Sequence, residues 1–449
     1  MLSLLFILIS QKNINMKKNK YLVFVFSFLV VNLFAQEQLT LEQAIYIGLK
    51  NNYEINIVRN SAVMSSNNNT PGNAGMLPKV DLQASTSFAN NATKQEFVSG
   101  LVVDKSGVQS NNINAGVFLT WTIFDGFKMF ASHKKLQELE LMGTLSSKIL
   151  IENTLSQIIM NYYNVVRQKQ LIKGLSENIK ISEERLKIAE MKFNIGSGSK
   201  LDVLQAKVDM NAQTSNLYRN KTILSELKMN LNQILARSPD SEFDVSESIP
   251  VEFQLKYEEL KTEMQNTNTD LLFAQRNVAL SNQLLRESKS QLFPKLNLNA
   301  NYLFSRSENQ AGFSLLNQNL GLNLGLTASW TIFNGLNTNN LIKNAHLQIE
   351  NADYEYKSTK LKIEHSLLVS YKKYQDDQKI LALEEENVVL VKEALNIALE
   401  RFRIGASNSL ELKEIQKSYD DSLTRLAEAR FNAKVSETQL MKLNGKLIR

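Results

Sequence analysis

Acidic residues follow a glycine turn at two points of the chain. Gly405 is followed by Glu411 and Glu414, and Gly196 is followed by Asp202. Glu411 and Glu414 are three residues apart, so in a helix both carboxylates lie on one face. Acids in a first turn stabilise the positive end of the helix dipole, whereas acids repeated in a ring around a pore attract cations. The residues alone leave both interpretations open.

Two other patterns could carry chemistry, but neither matches a known site. The stretch from Ile195 to Lys200 is rich in glycine and serine, yet it lacks G-x-x-x-x-G-K-[ST] spacing and follows a helix-forming segment. A glycine turn between two helices explains it better than a phosphate-binding loop. His133, His346 and His365 have no partner at metal-ligand spacing, and the chain has no cysteine. We therefore predict no enzyme activity, no metal site and no cofactor.

Two motifs that each recur at the same offset along the chain indicate a tandem duplication. The pairs are Trp121-Thr-Ile-Phe-Asp-Gly126 with Trp330-Thr-Ile-Phe-Asn-Gly335, and Phe193-Asn-Ile-Gly196 with Phe402-Arg-Ile-Gly405. Pro78 recurs as Pro294 at a longer offset, which indicates a seven-residue insertion or deletion between the proline and the tryptophan motif. We divide the chain into repeat 1 at 36–237, an inter-repeat equatorial segment at 238–265, and repeat 2 at 266–449.

Each repeat contains two stretches with the period-two alternation of a β-strand. Leu320 to Ile332, for example, places apolar residues on one face and small or polar residues on the other. Lengths of roughly 10 to 13 residues suit tilted membrane strands, whereas strands of a soluble sandwich usually run nearer 5–6 residues. We predict four membrane strands, solvated loops at 90–115 and 305–319, interface tryptophans at Trp121 and Trp330, and strand–helix corners at Pro78, Pro294, Gly126 and Gly335.

Most of the remaining chain is predicted to be helical. No proline or glycine interrupts 336–404, and 127–195 contains no proline. About 70 residues at 1.5 Å each would span on the order of 100 Å. Apolar residues at alternating spacings of three and four indicate antiparallel coiled-coil packing, not a globular core. We expect each long helix to pair with a return leg built from two stacked helices.

The N-terminus has the pattern of a secretory signal peptide. Residues 16–35 contain a basic start after Met16, an apolar run, and a small residue at Ala35. We predict cleavage after residue 35, with an uncleaved signal anchor as the alternative. Removing residues 1–35 removes four lysines and no acids, and leaves 47 basic against 45 acidic residues. This near-neutral balance gives no electrostatic reason to expect nucleic acid as a partner.

Four strands cannot close a membrane barrel, so the protomer must assemble. Two, three or four copies would give 8, 12 or 16 strands, and the residues do not choose among them. The duplicated motifs, with the opening Leu39-Thr-Leu-Glu-Gln-Ala44, resemble the TolC-type outer-membrane efflux proteins over residues 36–449. This resemblance implies a mainly α-helical homotrimer with a 12-stranded β-barrel in outer-membrane lipid and a coiled-coil tunnel across the periplasm.

The resemblance also implies a function and its residues. The chain would be the passive exit duct of a tripartite efflux or type I secretion system, joined to an inner-membrane transporter through a periplasmic adaptor. The family's tunnel-closing acids lie six and nine residues after the turn glycine, which selects Asp202, Glu411 and Glu414 as the gate. Gln205 replaces the second acid of repeat 1, and Ser407 stands where some members have an arginine. The adaptor-docking tips would be Phe193, Ile195, Gly196, Phe402, Arg403, Ile404 and Gly405.

A non-transporting protein with long helices is the alternative. A periplasmic coiled-coil scaffold or adhesin would also be secreted and helical, but it would give no reason for four alternating strands.

Overall fold

The computed structural model describes residues 38–251, 255–311 and 314–447, and the predicted signal peptide lies outside them. The described residues form eight helices and four strands. In chain order these are α1 Leu41–Asn51, α2 Tyr53–Asn68, β1 Lys79–Glu96, β2 Val102–Phe124, α3 Lys128–Asn194, α4 Lys200–Ile234, α5 Tyr257–Thr267, α6 Thr269–Ser290, β3 Lys295–Asn309, β4 Leu316–Ser329, α7 Asn337–Arg403 and α8 Ser409–Leu443. The predicted mainly helical fold with four strands is confirmed.

Element lengths repeat between the two halves of the chain. The long helices α3 and α7 both have 67 residues, and their return helices α4 and α8 both have 35. The short helices α1 and α5 both have 11 residues. The internal duplication is therefore confirmed in the fold. The boundaries of the repeats at 36–237, 238–265 and 266–449 stay a prediction.

The four strands form one antiparallel sheet in the order β1-β2-β3-β4. Apolar residues face each other across the ladders, as in Trp121 opposite Leu298 and Leu298 opposite Leu326. One face of the sheet is thus apolar, which is the alternation that the sequence predicts. The outer edges of β1 and β4 have no strand partner among the described residues.

The prediction of loops at 90–115 and 305–319 is wrong for most of these residues, because they belong to the strands. Residues 90–96 and 102–115 belong to β1 and β2, and residues 305–309 and 316–319 belong to β3 and β4. The strands have 18, 23, 15 and 14 residues, which is longer than predicted. Antiparallel pairing needs only backbone groups, so a ribbon rich in Asn, Ser and Gln can continue past the apolar region into water.

The strand–helix corners are built alike in both repeats. Pro78 and Pro294 directly precede β1 and β3, and Gly126 and Gly335 lie between a strand and a long helix. Both glycines have a left-handed backbone, with φ of 71° and 65°. At each corner a tryptophan indole is hydrogen-bonded to the segment that precedes the neighbouring strand. Trp121 Nε1 donates to the Met76 carbonyl at 3.0 Å, and Trp330 Nε1 donates to the Leu292 carbonyl at 3.1 Å.

The helices form a long bundle with buried clusters spread along its length. The α3 helix packs against α1, α2, α4, α6 and α8, whereas α7 packs mainly against α6 and α8. The largest buried cluster joins α1, α3, α4 and the segment after α4, with Leu39, Tyr162, Leu231 and Phe243 inside it. None of the described helices is both long and apolar enough to cross a membrane.

One asparagine joins the two stacked helices in each return leg. Asn52 caps α2 by accepting a hydrogen bond from the Ile55 amide at 3.1 Å, and its side chain donates to the Ile234 carbonyl at 2.9 Å. Asn268 repeats this at α6, where it accepts from the Leu271 amide at 3.0 Å and donates to the Leu443 carbonyl at 2.9 Å. Each amide side chain therefore satisfies the start of one helix and the end of another.

Replacing Asn268 should destabilise the second return leg. Asn268→Ala removes the cap of α6 and leaves the Leu443 carbonyl without its side-chain donor, so we expect the free energy of unfolding to fall by about 1–2 kcal/mol. Denaturant unfolding followed by helical circular dichroism measures this. Asn282→Ala, an exposed asparagine on the same helix, is the matched control. Equal stability of the two variants would contradict the capping role.

Candidate gate and tip region

The two ends of the helical bundle furthest from the sheet are glycine turns. Gly196 and Gly405 have φ of 78° and 81°, a conformation that glycine adopts without strain. Just beyond them, the Ser197 amide donates to the Lys192 carbonyl at 2.9 Å, and the Ala406 amide donates to the Arg401 carbonyl at 2.9 Å. These bonds end α3 and α7 and let α4 and α8 run back alongside them.

Asp202 takes part in the cap of its own helix. Ser199 Oγ accepts a hydrogen bond from the Leu201 amide at 3.1 Å, and Asp202 Oδ2 accepts one from the Ser199 amide at 3.4 Å. This arrangement is a capping box, and it supports the helix-stabilising interpretation of Asp202. At the second turn Asn408 takes over the cap, because its Oδ1 accepts from the Leu410 and Glu411 amides at 3.1 Å and 2.9 Å.

The two acids that follow the second turn differ in their surroundings. Glu411 forms an ion pair with Arg401 at 3.1 Å and accepts a hydrogen bond from the Ser407 hydroxyl at 2.8 Å. Glu414 is exposed, and its carboxylate has no ion pair or hydrogen bond within the described part of the chain. Of the three predicted gate acids, Glu414 is therefore the one whose negative charge is least compensated by neighbouring groups.

Phe402 does not form part of an exposed tip. Its side chain is 4% exposed and packs with Ile188, Leu395 and Leu412. Lys192 covers it, with Nζ 4.2 Å from the ring centroid. The sequence-based assignment of Phe402 to the docking surface is therefore corrected, because the apolar seam of α7 continues into the last turn of the helix.

The remaining tip residues are accessible. Ile195 and Ile404 occupy matching positions after α3 and α7 and are 78% and 76% exposed, and Phe193 is 43% exposed. Arg403 is half-exposed and forms ion pairs with Glu184 and Glu400. The two isoleucines thus give each tip an apolar end.

An ion cluster around the buried side chain of Arg185 was not predicted from the sequence. Asp209 Oδ2 is 2.8 Å from Arg185 Nη2, whose side chain is 2% exposed, and Asp209 Oδ1 is 2.9 Å from Lys413 Nζ. Burial by itself would raise the pKa of Asp209, but the hydrogen bonds from Lys413 and Arg185 outweigh it, and the pKa lies below its ordinary value. The cluster joins α3, α4 and α8.

Amide and hydroxyl groups extend this cluster away from the tip. Gln416 is 2% exposed, and its Nε2 donates to Asn178 Oδ1 at 2.9 Å and to Ser182 Oγ at 2.6 Å. The contact of α8 with α3 is therefore polar and hydrogen-bonded at these positions. In the part of the chain that the structure describes, no group of three or more His, Asp or Glu residues is placed to hold a metal ion.

A duplicated bundle of long helices attached to a four-stranded sheet defines the class of outer-membrane channel protomers. The family model described as "Outer membrane efflux protein" matches residues 70–237 and 260–446. The chain therefore belongs to the outer membrane efflux protein family, and its place is the outer membrane. The resemblance stated from the sequence is confirmed.

Individual relatives are distant in sequence and close in fold. Outer membrane protein TolC of Escherichia coli K12 is 22% identical over 390 residues, which cover 83% of this chain and 75% of the relative. The outer-membrane channel OprN matches with a TM-score of 0.75 at 16% identity, covering 90% of this chain and 89% of the other. VceC of Vibrio cholerae matches with a TM-score of 0.74 at 15% identity, covering 90% and 96%.

Neutralising Asp209 should weaken the contact between α8 and the first helix pair. Asp209→Asn leaves Arg185 buried without its counter-ion, so we expect the free energy of unfolding at pH 7 to fall by about 3 kcal/mol. The pKa of Asp209 is lowered in the fold, so its contribution is present above the ordinary value of 3.8 and is lost as the pH falls below it.

Denaturant unfolding of the two proteins at pH 7 and near pH 3 measures both effects. The difference between wild type and Asp209→Asn should shrink at the lower pH. Asp421→Asn, an exposed acid on α8, is the control and should have little effect. A pH-independent difference would show that the charge of Asp209 is not what stabilises this contact.

Proposed function

We propose that the chain forms a homotrimeric export duct across the outer membrane and the periplasm. Three copies give a 12-stranded barrel that continues into a helical tunnel, and the duct is passive. A periplasmic adaptor joins it to an inner-membrane transporter of an efflux or type I secretion system. Family membership supports the channel class, and the number of copies follows from the resemblance to TolC-type proteins.

The observation that carries this proposal is a helix contact that the duplicated sequence could form twice. The chain forms it once internally, on α3, and leaves the equivalent surface of α7 exposed. The second half of the chain packs against α3, where Thr269 Oγ1 donates to Glu152 at 3.2 Å and a Cβ on Gly174 would lie 3.0 Å from Leu423. Glu152 and Gly174 are both buried. Helix α3 thus has its outer face covered by α6 and α8.

In the second repeat no described residue covers the matching face of α7. By the offset of the two tryptophan motifs, Glu152 and Gly174 correspond to Leu361 and Leu383. These leucines are 68% and 59% exposed. Tyr53, which matches Thr269 at the offset of the two prolines, is 75% exposed at the start of α2. The chain therefore has an apolar face on α7 and a matching exposed residue on α2, which is the arrangement of a head-to-tail ring.

The corners show the same asymmetry. A Cβ on Gly126 would lie 2.4 Å from the Ser290 carbonyl oxygen, because the end of α6 packs against this corner. A Cβ on Gly335 would meet nothing within 4 Å. In a ring, the corner at Gly335 would receive the end of α2 from the next copy, and β4 would pair with β1 of that copy, so that no strand edge faces lipid.

Cysteine pairs test this junction directly, because the chain has no cysteine of its own. Leu361→Cys with Tyr53→Cys should give covalent oligomers up to the trimer when the assembled protein is treated with a short bismaleimide, since the two positions should be neighbours across the junction.

The matched control pairs Leu361→Cys with Val63→Cys. Val63 is exposed on the same helix as Tyr53, about 15 Å further along it. This pair should give much less cross-linked product. Cross-linking of both pairs to the same extent, or of neither, would contradict the proposed junction.

We assign the periplasmic gate to Asp202, Glu411 and Glu414, as three copies of each would form acidic rings. The structure around these acids suggests unequal contributions. Asp202 is engaged in a helix cap, Glu411 is paired with Arg401, and Glu414 is exposed. An uncompensated carboxylate sets a stronger local potential than a paired one, so Glu414 should contribute most to cation attraction.

Single-channel recording in planar bilayers tests the duct and its gate together. Wild-type trimers should conduct and be blocked by divalent cations from the periplasmic side. Glu414→Gln should weaken this block by about tenfold, roughly 1.4 kcal/mol of cation binding, and Glu411→Gln should weaken it less. Glu428→Gln, an exposed acid further along α8, is the control. Absence of conductance would favour a non-transporting scaffold, and unchanged block would remove the gate assignment.

The tips are proposed to dock the adaptor through their exposed ends. Ile195 and Ile404 stand at equivalent places of the two repeats, so a trimer would present six similar apolar tips around the tunnel mouth. Gly196 and Gly405 shape these turns, Phe193 flanks one of them, and Arg403 adds an ion-paired, half-exposed side chain. Exposed loop ends carried on rigid helices are common sites of recognition.

A further inference from the structure

We propose that the strand–helix corner of the first repeat binds the phosphate of an anionic phospholipid. The inference rests on the proposed function, because it requires that the sheet span the outer membrane. The site is a groove of about 260 Å³ between the start of α3 and the end of α6. The groove is lined by three aromatic residues, Phe127, Phe130 and Phe293, and by three cations, Lys134, Arg286 and Lys289. Along both chain segments the aromatic residues are nearer to the strands than the cations are.

The aromatic side chains continue the apolar face of the sheet. Phe124 pairs with Leu296, two residues from Leu298, so it lies on the face that carries Trp121 and Leu298. The Phe127 ring is 5.3 Å from Phe124 and 6.4 Å from Phe293. Phe127 and Phe293 are 60% and 47% exposed. Acyl chains lying against the apolar face would therefore reach this cluster without crossing a polar strip.

The cations lie on the helix side of the aromatic cluster. Lys134 follows Phe130 by four residues within α3, so the two side chains share a face of that helix. Lys289 lies in the last turn of α6, which ends at Ser290, and Phe293 follows that end by three residues. All three cations are exposed. Within the described residues none of them forms an ion pair, and no carboxylate lines the groove. The arrangement puts uncompensated positive charge next to an exposed apolar surface, which suits a lipid phosphate at the membrane boundary.

The residues equivalent to this site at the second strand–helix corner, at Gly335, are different. At the offset of the two prolines, Arg286, Lys289 and Phe293 correspond to Thr70, Asn73 and Leu77. At the offset of the tryptophan motifs, Phe130 corresponds to Asn339, and only the cation at Lys134 is kept, as Lys343. A general requirement for interface residues would apply to both corners, so the concentration of charge and aromatic rings at one of them points to a ligand.

The test compares two double variants of the full chain with the same change in charge. Arg286→Gln with Lys289→Gln removes two cations of the groove, and Lys343→Gln with Lys392→Gln removes two exposed lysines of α7. Heat-resistant trimers and conductance are checked first in both. Binding of phosphatidylglycerol to the detergent-solubilised trimer is then titrated by native mass spectrometry, with inorganic phosphate as competitor.

We expect the groove variant to bind phosphatidylglycerol about 30-fold more weakly than wild type, and the control variant to bind it as wild type does. Inorganic phosphate at millimolar concentration should not displace the lipid, because it lacks the acyl chains. Equal binding by both variants, or displacement by inorganic phosphate alone, would overturn the lipid site. If the trimers still conduct, either of these results would contradict only the lipid site and not the proposed duct. If wild-type protein formed no trimers or did not conduct, the proposed duct itself would be contradicted.

Discussion

The unpaired edges of the sheet are the constraint on which the rest of the structure depends. A strand edge in hydrocarbon leaves backbone donors and acceptors without partners, and each such group costs several kcal/mol. The chain supplies four strands, and within its described residues the first and last edges of the sheet are open. A sheet of this kind can exist in a membrane only if copies of the chain close each other's edges, so assembly is a condition of the membrane-embedded fold.

The duplication provides the geometry for that closure. The contact between α3 and the helices α6 and α8 shows how the second repeat packs against the long helix of the first. In the proposed assembly, the exposed face of α7 meets a surface of the next copy that includes Tyr53 of α2 and the exposed apolar residues Leu204, Val208 and Tyr218 of α4. Because the chain makes this junction once internally, the exposed leucines of α7 fit the same kind of contact between copies in the proposed assembly.

Features of the fold that depend on neighbouring residues in the sequence could be predicted, whereas features that depend on contacts between distant segments could not. Periodicity and the absence of proline predicted the long helices, and the glycines predicted both turns, because these are local preferences of the backbone. The extension of the strands through 90–115 was missed, since polar side chains do not report that their backbone is paired with a distant segment. Phe402 was misplaced because burial at a helix end depends on packing against a neighbouring helix. Arg185 and Asp209 are 24 residues apart on two helices joined by a turn, whereas Lys413 is 204 residues from Asp209, so only the tertiary structure brings Lys413 to this pair.

The most direct test of the account is a cryo-electron microscopy map of the purified assembly in detergent. The account predicts three copies around one axis, with β4 of each copy paired to β1 of the next and α7 packed against the next copy's α2 and α4. The first strand–helix corner and the second should then look alike in their helix packing. A map with a different number of copies, or one in which β4 and the outer face of α7 stay uncovered, would contradict the central claim.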